Sequence, residues 1–306
     1  MPSWKHLLAE IQGVQSTGTA QDQVRRKYLA ELSELTGRNT IVYYSAWLDK
    51  GHLASQYHQP FSVNDSDKNA FMTAIHGMDR DKGLDLFLHT PGGDVAAAES
   101  LVRYLRAMFD LDIRAIVPQL AMSAGTMIAC ACKEIVMGLH SSIGPIDPQF
   151  RGMPAHGIVE EFNRAKTEIA ADPASIPVWQ PIISKYHPTL IGESEKAIAW
   201  SQQIVEEWLA TGMFESLGKP GAEAKAKQVV QSLGDPQFTY SHSRHIDFDA
   251  AKQMGLKVVA MEDDDKLQNA LLTVHHACML TLSGTSAVKL VENQDGDAIV
   301  QAVEPI

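Results

Sequence analysis

The 306-residue sequence is poor in cysteine, with only Cys130, Cys132 and Cys278. Three thiols are too few and too odd in number for a disulfide framework, so a reducing compartment is expected. Basic runs are absent as well: 26 Lys and Arg stand against 37 Asp and Glu, a formal charge of −11. Without clustered cations to neutralise phosphates, nucleic acid is not expected as a partner. Long apolar runs are also missing. The stretch 113–131 is interrupted by Arg114, Pro118, Gln119, Ser123 and Gly125, short of the ~20 apolar residues that cross a bilayer, and no integral membrane segment is expected. The first residues lack the basic-then-apolar pattern of a secretory signal, which makes the cytoplasm the expected location. No G-x-x-x-x-G-K-[ST] motif occurs, so any ATP-driven step would need a separate partner. What is present is an ordinary globular mixture, 45% hydrophobic and 21% charged, long enough for one large α/β domain or two smaller ones.

Apolar spacing predicts two helices within 5–36, with a polar break at 15–19 and a stop at Gly37. A β-branched and aromatic run at 41–48 predicts a strand, 51–62 reads as an exposed loop, and a helix capped by Asn64 or Ser66 runs to about His76. The pattern then becomes regular. Strands at Leu84–His89, Ile113–Val117 and Glu134–Met137 are interleaved with helices at Val95–Phe109 and 124–131, which implies parallel strands with right-handed crossovers. Further helices are predicted at Ala155–Ala171, 193–211, 222–232 and 265–282. Pro-rich linkers separate the first two of these. A strand closes at 256–261, and the tail 287–303 alternates like a hairpin around Gln294-Asp295-Gly296.

Two loops fall at the carboxyl ends of adjacent predicted parallel strands, where open α/β sheets place ligands. The first, His89-Thr-Pro-Gly-Gly-Asp94, turns through two glycines into a helix, so its free N–H groups can meet a developing negative charge. The second, 118–125, presents Ser123 among Ala121, Ala124 and Gly125, whose small side chains leave room for a substrate carbonyl. Ser123 reads either as a nucleophile, with the Ala124 N–H as a donor, or as a plain helix cap. Asp94 reads as the cap of the helix after the glycines.

The runs LFLHTPGGDVAAAESLVRYL, AIVPQLAMSAGTMIACAC and EIVMGLHSSIGPIDPQF together resemble the Clp-peptidase/crotonase superfold, and within it the serine dehydrogenase proteinase family related to signal peptide peptidase A. The resemblance is strong over about 84–155 and weak to 260. It implies an α/β fold of repeated β-β-α units in a superhelix, with N-terminal helices and additional C-terminal helices. The corresponding division is an N-terminal helical segment at 1–38, a peptidase domain at 39–262 and a C-terminal helix with a hairpin tail at 263–306. It implies a serine peptidase acting through an acyl-enzyme on a peptide or protein substrate, and a homo-oligomer. Ser123 matches the nucleophile, and Gly93 and Ala124 match the backbone donors of the oxyanion hole. Neither metal nor cofactor is implied.

The base is where the sequence departs. Clp peptidases carry a histidine in the region where this chain has Asp147-Pro148-Gln149. The signal-peptide-peptidase branch uses a Ser/Lys dyad, and Lys166, 43 residues after Ser123, matches that lysine. Helical spacing puts Phe162, Lys166 and Ile169 on one face, where burial would lower the ammonium's pKa toward neutrality. The other reading is a solvated lysine beside Glu160, Glu161 and Glu168. Lys185 and Arg164 are weaker matches. His140 lies near Ser123 in sequence, His242 and His245 form an H-x-x-H pair without further ligands at metal spacing, and His275-His276 reads as packing or surface. Two other functions stand open: a crotonase-like acyl-CoA enzyme, which works through carboxylates on a thioester, and a catalytically silent scaffold.

Overall fold

The computed structural model describes residues 4–14, 19–150, 152–234 and 241–303. Helices α1 (Trp4–Gly13) and α2 (Ala20–Thr36) precede strand β1 (Asn39–Ser45). Most of the expected break at 15–19 lies outside the described residues. Short helices α3 (Gly51–Gln56) and α4 (His58–Phe61) and helix α5 (Asp67–Ile75) lead to β2 (Leu84–His89), α6 (Val95–Phe109) and β3 (Ile113–Val117). Then come β4 (Leu120–Ala121), α7 (Ala124–Cys130), β5 (Glu134–Met137), β6 (Ser142–Ile143) and a small hairpin of β7 (Gln149–Phe150) and β8 (Met153–Pro154). Four helices follow: α8 (Ala155–Ala171), α9 (Ile176–Ile183), α10 (Leu190–Thr211) and α11 (Gly218–Gly234). The chain ends with β9 (Ile246–Asp247), α12 (Phe248–Met254), β10 (Val258–Ala260), α13 (Asp265–Gly284), β11 (Ala287–Asn293) and β12 (Ala298–Ala302).

The main sheet has seven strands in the order β10-β5-β3-β2-β1-β11-β12. The first five are mutually parallel, and β11 and β12 add antiparallel to β1 and to each other. The expected α/β class is therefore what the chain adopts. Both sheet faces are covered, which explains why the central strands read as nearly continuous apolar runs. Leu84, Leu86 and Leu88 point into the cluster with α5, α6 and α7, while Phe87 points into the other with α2 and α13. Asp85, fully buried on the second face, is neutralised by Arg38 (2.7 Å) and Arg114 (2.6 Å).

Two connections differ from the sequence expectation. The 51–62 segment contains α3 and α4, because Phe61 is buried and ties this otherwise polar stretch to the core. The Pro-rich linker after α8 contains α9: Pro177 suits a first helical turn, and Trp179 is buried with its Nε1 donating to Glu168 at 2.9 Å. The three cysteines are free and buried. No helix among the described residues is long and apolar enough to cross a membrane.

Candidate active site

The loops after β2 and β3 are held in mutual register by a parallel bridge between Thr90 and Ala121. Thr90 N–H donates to Leu120 O (3.1 Å) and Met122 N–H to Thr90 O (3.0 Å). The glycines are required by this proximity. A Cβ on Gly92 would stand 2.6 Å from Met122 O and from Ser123 Cβ, and 2.9 Å from Ala124 N. On Gly93, whose φ is +154°, it would be driven into the backbone of Val63. Val63 pairs with Gly93 as a one-residue parallel strand: Val63 N–H donates to Gly92 O (2.8 Å) and Asp94 N–H to Val63 O (2.9 Å). Asp94 caps α6 by accepting from Ala97 N–H at 2.9 Å.

Ser123 has φ 51° and ψ −117°, a conformation that a non-glycine residue adopts at a cost of order 1–3 kcal/mol. It occupies the N-cap position of α7, yet its hydroxyl makes no capping bond, so the plain capping role expected of a serine there is unfilled. Strain with no local return is typical of residues whose side chain is presented for chemistry. Among the described residues the N–H groups of Gly93 and Ala124 also donate to no protein acceptor. The segment thus offers an uncommitted hydroxyl and two uncommitted backbone donors.

Ser123, Gly92 and Gly93 open into a cleft of about 1340 Å³, whose lining also includes Asp147 and His242. These two residues are 95 apart in sequence, yet Asp147 Oδ1 and His242 Nδ1 lie 2.6 Å apart. The pairing of β6 with β9 explains this. Ile143 stands opposite Ile246 in an antiparallel register, and extending that register by four residues on each strand sets 147 against 242. Asp147 is nearly buried and His242 about one-fifth exposed, so the imidazole reaches the cleft while the carboxylate is shielded.

Lys166 is placed elsewhere. The inward stripe of α8 runs through Ile158, Phe162, Ala165 and Ile169, with Phe162 edge-on to Tyr186 at 5.3 Å. Lys166, one position past Ala165, is exposed and does not line the cleft. The solvated of the two sequence readings is the one observed, because the buried face is rotated toward 165. Lys185 is exposed, and Arg164 pairs with Glu168 at 2.8 Å on the surface. Lys196 does line the cleft, but it is three-quarters exposed and paired with Glu193 at 3.1 Å. His140 and His245 are exposed and do not line the cleft.

Sequence reasoning missed Asp147 and His242 as partners. Asp147 was visible within the S-x-G-P-I-D segment, but as the residue standing where a histidine was expected. His242 was visible only as half of an H-x-x-H pair. The chain order Ser, Asp, His, known from α/β-hydrolases, was the signal that could have joined them.

The model of the ClpP-like SDH-type serine proteinase family matches residues 14–272. Two uncharacterized proteins of Methanocaldococcus jannaschii are similar to the chain. One is 31% identical over 76% of this chain and 73% of its own length. The other is 30% identical over 63% of this chain, which spans only 57% of that relative. The mostly parallel sheet and the presented serine agree with the family match, and the chain belongs to the ClpP-like SDH-type serine proteinases.

Proposed function

We propose that the protein hydrolyses peptide bonds within protein or peptide substrates through an acyl-enzyme on Ser123, with His242 as general base, Asp147 as its orienting carboxylate, and the N–H groups of Gly93 and Ala124 as the oxyanion hole. The observation that carries this reading is the Asp147–His242 pair on the wall of the cleft that Ser123 enters. Asp147 occupies Nδ1, which leaves Nε2 as the basic nitrogen. Nε2 takes the Ser123 proton as Oγ bonds to the carbonyl carbon, and the two backbone donors hold the oxyanion. The imidazolium returns the proton to the leaving amine as the C–N bond breaks. A water then repeats the sequence on the ester and releases the acid.

Lys166, the base expected from the resemblance, would have to enter the cleft from the outer face of α8. Its exposure favours His242. A fluorophosphonate probe separates these readings and the other classes. Labelling at Ser123 that survives Lys166→Ala and is lost in His242→Ala supports the triad, and the reverse pattern supports the dyad. A folded wild type that never labels supports a silent scaffold, and retention of a CoA thioester in native mass spectrometry supports an acyl-CoA enzyme. Homo-oligomerisation rests on the resemblance, and a gel-filtration mass near 33.5 kDa would overturn it.

A further inference from the structure

A buried lysine behind the cleft wall has no part in the chemistry above. Lys289, on β11, is 1% exposed, and its Nζ donates to Ser62 O and to Asp67 Oδ1, both at 2.7 Å. Asp67, also buried, accepts on Oδ2 from Tyr43 OH (2.7 Å) and from Asn64 N–H (2.9 Å). Ser62 and Asn64 flank Val63, the residue that pairs with Gly93. On the loop itself, the Thr90 hydroxyl accepts the Gly92 N–H at 3.2 Å. The network therefore reaches the glycine loop through Val63, by holding both of its neighbours. A buried ion pair is weak evidence for stability, because desolvation offsets most of its attraction. Its hydrogen bonds do fix geometry, and here they end on backbone atoms next to an oxyanion donor. Lys289 lies beyond residue 272, where the family match ends.

We propose that Lys289, acting through Ser62 and through the Asp67 that Tyr43 helps to hold, is a positioning residue that sets the direction of the Gly93 N–H, so that the C-terminal hairpin completes the oxyanion hole. This rests on the reading of Ser123 as nucleophile and Gly93 as donor. Misdirecting one donor should weaken the bond-forming step by a part of the ~10²–10³-fold that a lost donor costs, and leave ground-state binding alone. The full chain is titrated with a fluorophosphonate, whose phosphonyl oxygen occupies the same hole, and kinact and KI are separated. Lys289→Met should lower kinact about 10-fold or more with KI within about twofold, and the isosteric Tyr43→Phe should lower it about threefold. Glu292→Gln is the control. It breaks a different buried network on the same strand, the one with Arg25 and Arg26, and should lower Tm without changing kinact.

A folded Lys289→Met with wild-type kinact overturns the proposal, as does a Glu292→Gln that loses kinact equally. If Lys289→Met does not fold, an unchanged kinact in Tyr43→Phe overturns it and a selective loss supports it. A wild type that is never labelled overturns the serine-nucleophile reading and this one with it, whereas a labelled wild type with an indifferent Lys289→Met overturns this one alone.

Discussion

The two walls of the cleft are built differently. The wall carrying Gly93 and Ala124 comes from adjacent ends of β2 and β3, held by the Thr90–Ala121 bridge, the Val63–Gly93 bridge and glycine contacts that leave no room for a side chain. The wall carrying Asp147 and His242 comes from segments 95 residues apart, brought together by the two-residue pairing of β6 with β9 and by one hydrogen bond of 2.6 Å. The first wall is over-determined by backbone packing, which is what the proposed oxyanion donors require. The second depends on a side-chain contact whose loss leaves the backbone free to hold its shape. Damage to the first should therefore appear in both activity and stability, and damage to the second in activity alone.

The largest effect should come from the residue both walls serve. Ser123→Ala should abolish fluorophosphonate labelling and lower peptide hydrolysis about 10⁴-fold or more, with Tm unchanged or raised, since removing the hydroxyl does not relieve the backbone but costs no contact. His242→Ala should lower kcat by roughly 10³–10⁴-fold and Asp147→Asn by roughly 10²–10⁴-fold, both at nearly wild-type Tm. A Tm loss as large as that of a core variant would break the contrast between the walls. Gly92→Ala should lower kcat about 10²–10³-fold and also lower Tm, because its Cβ would meet Met122 O at 2.6 Å. Catalysis intact in a stable Gly92→Ala would show that the loops tolerate separation.

Acid should act on the first wall through His89. His89, at the end of β2, is fully buried against Tyr44, Trp47 and His275, with neither ring nitrogen hydrogen-bonded. Burial pulls its pKa down to about 3, from 6.5 for the free group. The unfolded chain thus binds its proton first as pH falls, so stability is full above about 6.5 and drops between 6.5 and 3, by roughly 4–5 kcal/mol at completion. Urea titrations across that window should show the loss, and His89→Phe should flatten it. The smallest effect is expected at Lys166→Ala, with kcat within about twofold of wild type, since an exposed lysine outside the cleft has nothing to contribute there.

Legibility followed the range of the interactions. β2, α6, β3 and β5 were placed from the sequence at their observed bounds, because each is buried along a simple period and stopped by its own cap or turn. Ser123 and the paired glycines were legible as short-range strand-to-helix turns. Residues 51–60 are exposed or half-buried as expected, but the segment is not a plain loop: it forms α3 and α4, and Phe61 packs into a core built by other segments. Helical spacing leaves both readings of Lys166 open, because it names residues that share a face but does not say which face turns inward; in the structure Lys166 is exposed.

The sequence by itself determined an acidic, cysteine-poor α/β chain in which a small-residue serine loop and a glycine turn follow neighbouring parallel strands. Local periodicity and turn chemistry are enough for that, since every residue involved lies within one strand, loop or helix. Only the tertiary structure decided that His242 faces Asp147, and that Lys289 of the last hairpin lies behind Val63. Both contacts join residues far apart in the chain through strand register and burial. Such pairings exist only once the sheet has closed around them.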